Sequence, residues 1–175
     1  MAAGAGGGGA NALHATAWIA NPATPGAAPR PYLSADWGEY DPAISPDGRW
    51  AAFTSLEDGS SEVYVRAFPQ ADSRGVVKIS SGGGQRARWS GDGRTIYYQA
   101  LDGSSIRAVP VTVGATVEAG IGRTVMTVPG LGNGWDVDWR SGKIYVSQAV
   151  TLDQARIVVI PHWLDEFKRQ IEAKR

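Results

Sequence analysis

From Glu39 onward, short apolar runs alternate with breaks that carry Asp and Gly, and helical spacing of apolar positions returns only near the C-terminus. The runs at residues 50–54, 62–67, 95–99, 106–111 and 143–147 are rich in β-branched and aromatic side chains. Runs of this length and make-up predict strands. The breaks between them hold Asp47-Gly48, Asp58-Gly59, Asp92-Gly93 and Asp102-Gly103. Asp can hydrogen-bond its own backbone, and Gly accepts the positive φ of a tight turn. Strands joined this way form antiparallel meanders, without the crossover helices of a parallel sheet. Residues 76–79 and 124–128 are predicted to close two such units.

The units repeat. Ile44-Ser45-Pro46-Asp47-Gly48-Arg49-Trp50 aligns with Trp89-Ser90-Gly91-Asp92-Gly93-Arg94-Thr95, and a degenerate third copy begins at Trp139, with Gly142-Lys143 in the place of Gly93-Arg94. A period of about 40–45 residues built from short strands is the signature of propeller blades. Asp47, Gly48, Asp92 and Gly93 are read as structural turn residues.

The ends differ in texture. Residues 1–12 form a Gly/Ala-rich lead expected to be disordered. Residues 13–38 hold two short strand candidates, at 15–20 and 31–33, and read as the remnant of a preceding blade. Blades are expected at 39–82, 83–130 and 131–162. The last includes a buried-type strand at 155–160, ended by Pro161. Trp163, Leu164, Phe167 and Ile171 then share one face of a predicted amphipathic helix at 163–175, read as a cap on the last blade. The fold class expected is all-β: a partial β-propeller of about three four-stranded antiparallel blades plus this C-terminal helix.

The run Ile44-Ser45-Pro46-Asp47-Gly48-Arg49-Trp50-Ala51-Ala52-Phe53 resembles the WD40-like repeat of the TolB propeller family. Three further runs are Glu62-Val63-Tyr64-Val65-Arg66-Ala67-Phe68-Pro69, Ile79-Ser80-Ser81-Gly82-Gly83-Gly84 and Arg88-Trp89-Ser90-Gly91-Asp92-Gly93-Arg94. They resemble the propeller at the C-terminal end of bacterial eukaryotic-like serine/threonine kinases, and residues 157–168 are similar to that branch's usual terminus. The resemblance implies a ring of six blades, preceded in a kinase by a kinase domain and a membrane segment. A chain of 175 residues accommodates about three blades and a remnant. The expectation is therefore a fragment of a longer protein, periplasmic or extracytoplasmic if that parent is a membrane-anchored kinase or a Tol-system protein. An open arc exposes strand edges, so self-association that completes the ring is expected as well.

Composition narrows the chemistry. Seventeen basic and seventeen acidic residues cancel, which leaves no field to draw in nucleic acid. The absence of Cys excludes disulfides and thiolate metal sites, and no apolar run reaches the roughly 20 residues of a spanning helix, so no membrane insertion is expected. A kinase's strand Lys, His-Arg-Asp loop and Asp-Phe-Gly motif are all missing, as is the Gly-x-Ser-x-Gly elbow of serine hydrolases. The glycine runs at 6–9 and 82–84 precede no helix that would cradle phosphate. The two histidines, His14 and His162, are too few for a zinc triad. No catalytic residue, cofactor or metal is expected. Asp136 and Asp138, two apart, would share one face of a strand about 7 Å apart as a cation or acid–base pair; the competing reading makes one of them a turn or inter-blade hydrogen-bonding residue. Binding contacts are assigned instead to the axial mouth, where Tyr40, Arg86, Arg88 and Trp135 precede or open the first strands of their blades. The expected ligand is a protein, peptide or glycan. A non-catalytic binding, sensing or scaffolding module is the reading that results, with a hydrolase or peptidase propeller lacking its catalytic domain, or a Tol-system envelope protein, as alternatives.

Overall fold

A computed structural model describes residues 17–33, 35–69 and 75–148. The predicted lead, terminal strand and capping helix, together with His14 and His162, lie outside the described residues. Within them the chain is all-β and holds no helix. Strands β1 (Ala17–Ile19) and β2 (Arg30–Leu33) form an antiparallel pair. A four-stranded sheet follows in strict chain order: β3 (Glu39–Ile44), β4 (Trp50–Ser55), β5 (Glu62–Ala67) and β6 (Val77–Lys78). The next sheet begins with β7 (Gln85–Trp89), β8 (Thr95–Gln99) and β9 (Ser105–Val113). Strands β12 (Leu131–Val137) and β13 (Ile144–Gln148) pair in the last one. The two Asp-Gly-Arg hairpins thus open separate, successive sheets, as the repeat requires.

The outer edge of the second blade departs from expectation. Instead of one closing strand, two segments lie along β9: β10 (Val117–Ala119) against its far end and β11 (Arg123–Thr127) against its near end. Pro110 lies where they part. Its carbonyl accepts the Gly120 N–H at 2.8 Å, but proline has no N–H to return, so the ladder lapses there. Gly120-Ile121-Gly122 crosses the gap, with Ile121 92% exposed.

Both faces of each middle sheet are buried, because successive residues of a strand point to opposite sides. In β4, Trp50 and Ala52 join a core with Val63, Val65, Trp89, Ile96, Tyr98 and Val109, between the first and second blades. Ala51 and Phe53 turn the other way, onto Tyr32, Leu33 and Tyr64. In β8, Ile96 and Tyr98 face the first of these cores, while Tyr97 packs on Ile106, Leu131, Trp135 and Val137. A fully buried side chain of the Phe53 or Ile96 kind contributes about 1.5–3 kcal/mol. The first strands stand next to one another, β3 against β7 and β7 against β12, while the outer strand β6 meets β10.

The turns recur at the level of single hydrogen bonds. Ser45 Oγ donates to Asp47 Oδ1 at 2.6 Å, that oxygen accepts the Arg49 N–H at 3.1 Å, and Ser45 Oγ accepts the Trp50 N–H at 3.0 Å. Ser90, Asp92, Arg94 and Thr95 repeat this at 2.6, 3.0 and 2.9 Å. Gly48 and Gly93 close the turns at φ of 70° and 68°. The degenerate third copy keeps the chemistry with the roles exchanged. Asp138 leads and accepts the Arg140 N–H at 3.0 Å and the Ser141 hydroxyl at 2.5 Å, and Ser141 Oγ accepts the Lys143 N–H at 3.3 Å. Gly91 occupies the place of Pro46 because the Trp139 backbone carbonyl of the next turn presses on it, leaving no room for a Cβ.

Two predictions follow from these turns. Gly91→Ala lowers stability by ~1–3 kcal/mol in denaturant melts by forcing the second and third turns apart, whereas Pro46→Ala changes it by only about 0.5 kcal/mol. The second concerns acid. The Ser45 hydroxyl first, and then Arg49, hold the Asp47 carboxyl down from 3.8 to about 2. Asp92 and Asp138 are lowered too, mainly by the Ser90 and Ser141 hydroxyls. A carboxyl whose folded pKa lies below its unfolded value stabilises the fold above the unfolded pKa, and this is lost as pH falls through the folded pKa. Stability is therefore expected to drop from about pH 4 to pH 2, and Asp47→Asn flattens that slope in tryptophan-monitored acid titrations.

Candidate binding cleft on the inner strands

The first strand of each blade is bulged at the same level. In β3, Asp41 and Pro42 together oppose the single residue Phe53; in β7, Arg86 and Ala87 oppose Tyr98; in β12, Gly132, Asn133 and Gly134 oppose Ser147. A bulge strengthens twist and re-aims the side chains around it. Asp41 and Arg86 take left-handed conformations at φ of 53° and 55°, the only non-glycine residues to do so among the described residues. A side chain in that region costs roughly 1–2 kcal/mol. In β12 the space is taken by the Ser147 hydroxyl, which lies 2.5 Å from where a Cβ on Gly132 would stand and 3.2 Å from one on Gly134.

Beyond the bulges the three strands enclose a cleft of ≈ 500 Å³ lined by Asp41, Pro42, Arg88, Trp89, Asp136 and Trp139, among others. Its floor is fixed by Trp89, 2% exposed, whose indole N–H donates to the Ala43 carbonyl at 3.0 Å and so ties the second blade to the first. One wall is a composite of the second and third blades. The Arg88 guanidinium lies 5.6 Å over the Trp135 ring, with Nε 3.3 Å from Asp136 Oδ1. Arg88 Nη1 also donates to the Ala87 carbonyl at 2.7 Å, and the Val137 N–H steadies Asp136 at 2.9 Å. The Trp139 indole is 63% exposed. The cleft therefore offers a cation, two carboxylates and an exposed aromatic face, a lining able to hold a polar ligand in one orientation.

The four residues assigned to binding from the sequence separate into two groups. Arg88 and Trp135 meet, across the junction of two blades. Tyr40 instead shares a hydrogen bond with Ser61 Oγ at 2.9 Å, over the top of its own blade. Arg86 donates its N–H to Thr54 Oγ1 of the preceding blade at 3.2 Å, while its guanidinium reaches Gln99 Oε1 at 3.5 Å. Asp136 and Asp138 do not form a pair on one strand face: β12 ends at Val137, Asp138 leads the turn, and Asp136 turns to Arg88. Among the described residues no group of three or more His, Asp or Glu is placed to hold a metal.

Two polar networks carry no sequence signature. Asp58 Oδ2 accepts from both Tyr64 OH and Lys78 Nζ at 2.7 Å, and Lys78 also lies 3.2 Å from Glu62 Oε1. Buried Glu62 is held in turn by the Ser80 hydroxyl and the Gly83 N–H. On the first blade, Arg66 Nη2 meets buried Glu39 Oε1 at 2.5 Å and lies 4.5 Å over Phe53. Burial drives the Glu39 carboxyl upward despite its partner and pushes the nearby Tyr32 phenol up to about 12. Only the cross-strand register, which sets Lys78 opposite Tyr64, joins the first network.

No protein-family model matches the chain, and no curated protein sequence matches it. Solved structures do. TolB from Acinetobacter baumannii superposes with a TM-score of 0.51 at 20% identity, over 68% of this chain and 29% of that one. The fold is that of a TolB-like β-propeller. A TolB candidate from Agrobacterium tumefaciens aligns at 24% identity over 52% of this chain and 32% of that one, with a TM-score of 0.38. The propeller chain thus spans under a third of the length of the TolB structures it matches. In this TolB-like frame, β3, β7 and β12 are the first strands of adjacent blades, and the cleft lies along them.

The strain at the bulges is measurable. Arg86→Gly is expected to leave the unfolding free energy unchanged or raise it by up to about 1 kcal/mol, since glycine meets no Cβ penalty there. Arg86→Val, β-branched at a positive φ, lowers it by roughly 1–3 kcal/mol. Urea melts of the two variants against the parent chain check both signs.

Proposed function

We propose that this chain is a non-catalytic binding module that recognises a protein, peptide or glycan through the axial cleft. One observation carries the reading: Arg88, Asp136 and Trp139, from two different blades, converge on a cleft held open by bulged inner strands. Residues kept in a disfavoured backbone region point to function, because uniform strands would pack with less strain. The cleft's lining of one guanidinium, two carboxylates and two indoles is a set suited to binding a polar ligand. The motifs around Asp47 and Asp92 further favour a role as the propeller end of a bacterial signalling kinase, in which this surface would sense a ligand outside the cytoplasm.

Panning a random peptide library and a glycan array against the full chain tests this. Ligands enriched on the parent chain and lost on Arg88→Ala and Trp139→Ala, with thermal unfolding retained, support the reading. Ligands that bind those variants equally well, or no enrichment at all, overturn it.

A further inference from the structure

We propose that Asn133 is a site of spontaneous deamidation, which puts a new carboxylate on the first strand of the third blade. The chain has three asparagines, followed by Ala12, Pro22 and Gly134. In this reaction the backbone nitrogen of the next residue attacks the asparagine Cγ. A C–N bond forms, ammonia leaves, and the resulting succinimide is opened by water at either carbonyl to give aspartate or isoaspartate. Pro22 has no N–H and cannot close that ring behind Asn21. Gly134 offers an unhindered nitrogen and the widest backbone freedom of any residue.

The fold adds what the dipeptide alone does not supply. A strand pair would hold both the attacking nitrogen and the asparagine in a fixed extended geometry. Asn133 instead sits in the middle of the three-residue bulge, where Gly132, Asn133 and Gly134 have no partner in the β12–β13 register. Its side chain is exposed, and among the described residues no hydrogen bond holds its amide. The Ser147 hydroxyl lies against the two flanking glycines. Flanking pairs on either side, Leu131 with Gln148 and Trp135 with Val146, keep the strand in place while the bulge absorbs the altered backbone of an isoaspartate. The product carries a carboxylate on the strand whose Trp135 and Asp136 contact Arg88. This inference does not depend on the binding role of the cleft.

The full chain is incubated at mildly alkaline pH and 37 °C, then digested with trypsin, which releases residues 124–140 as one peptide. Conversion of that peptide to paired aspartate and isoaspartate forms is expected, together with an acidic band on isoelectric focusing of the intact chain and no change at Asn21. Gly134→Ala slows conversion by roughly tenfold through lost backbone freedom. A synthetic peptide of the same sequence provides the reference should that variant fold poorly. An Asn133 that stays intact in the folded chain while the free peptide converts shows that the bulge protects it, and overturns the proposal.

Discussion

The second strands of the first two blades, β4 and β8, pack on both sides, and most of the architecture follows from that constraint. Strands β4 and β8 must supply apolar side chains of fitting size to two different cores at once: Trp50 and Ala52 to one, Ala51 and Phe53 to the other. A one-residue slip would exchange these two sets and mismatch both interfaces. Register is therefore fixed by the neighbours on either side, and the turns have only to be compatible with it. The third copy loses Ser-Pro-Asp and still forms its turn through local hydrogen bonds. Asp138 and Ser141 satisfy the same kinds of backbone groups from exchanged positions.

Close stacking of blades also shapes the inner strands. A short strand that meets its neighbours at a crowded axis needs more twist than a regular ladder supplies, and the recurrent bulge provides it. The penalty differs from blade to blade. Asp41 and Arg86 accept left-handed backbone, whereas the third blade uses two glycines around the Ser147 hydroxyl. The first two blades thus place charged residues where glycine would be easier, and Arg86 offsets part of that penalty through Thr54 and Gln99.

Charge is placed with the same economy. The Glu39–Arg66 pair is largely buried in the first blade, and Glu62 is buried under a Lys78–Asp58 pair that is itself exposed; both carboxylates are tied to backbone or aromatic-stacked partners. Such pairs contribute more to a unique arrangement than to net stability, because desolvation offsets much of their attraction. In the cleft, by contrast, Asp136 is 73% exposed, so solvent screens its attraction to Arg88 and the pair contributes little to stability.

Strand positions, the blade period and the Asp-Gly turns were legible in the sequence, because each rests on local chemistry: alternation within a strand, and positive φ at Gly48 and Gly93. Asp47 and Asp92 could be assigned to turns for the same reason. What lay beyond it depends on which residues meet across blades. The split edge along β9 required knowing which way the Pro110 carbonyl points, and the bulges required the register of β3, β7 and β12 against their partners. Tyr40 and Arg86 stood close to the predicted mouth in sequence, but tertiary packing turned them to Ser61, Thr54 and Gln99. It was also packing that brought Arg88, Asp136 and Trp139 together. Local pattern sets the elements because hydrogen-bond geometry and side-chain alternation act within a few residues; the cleft is decided in space, where sheets far apart in the chain share one face.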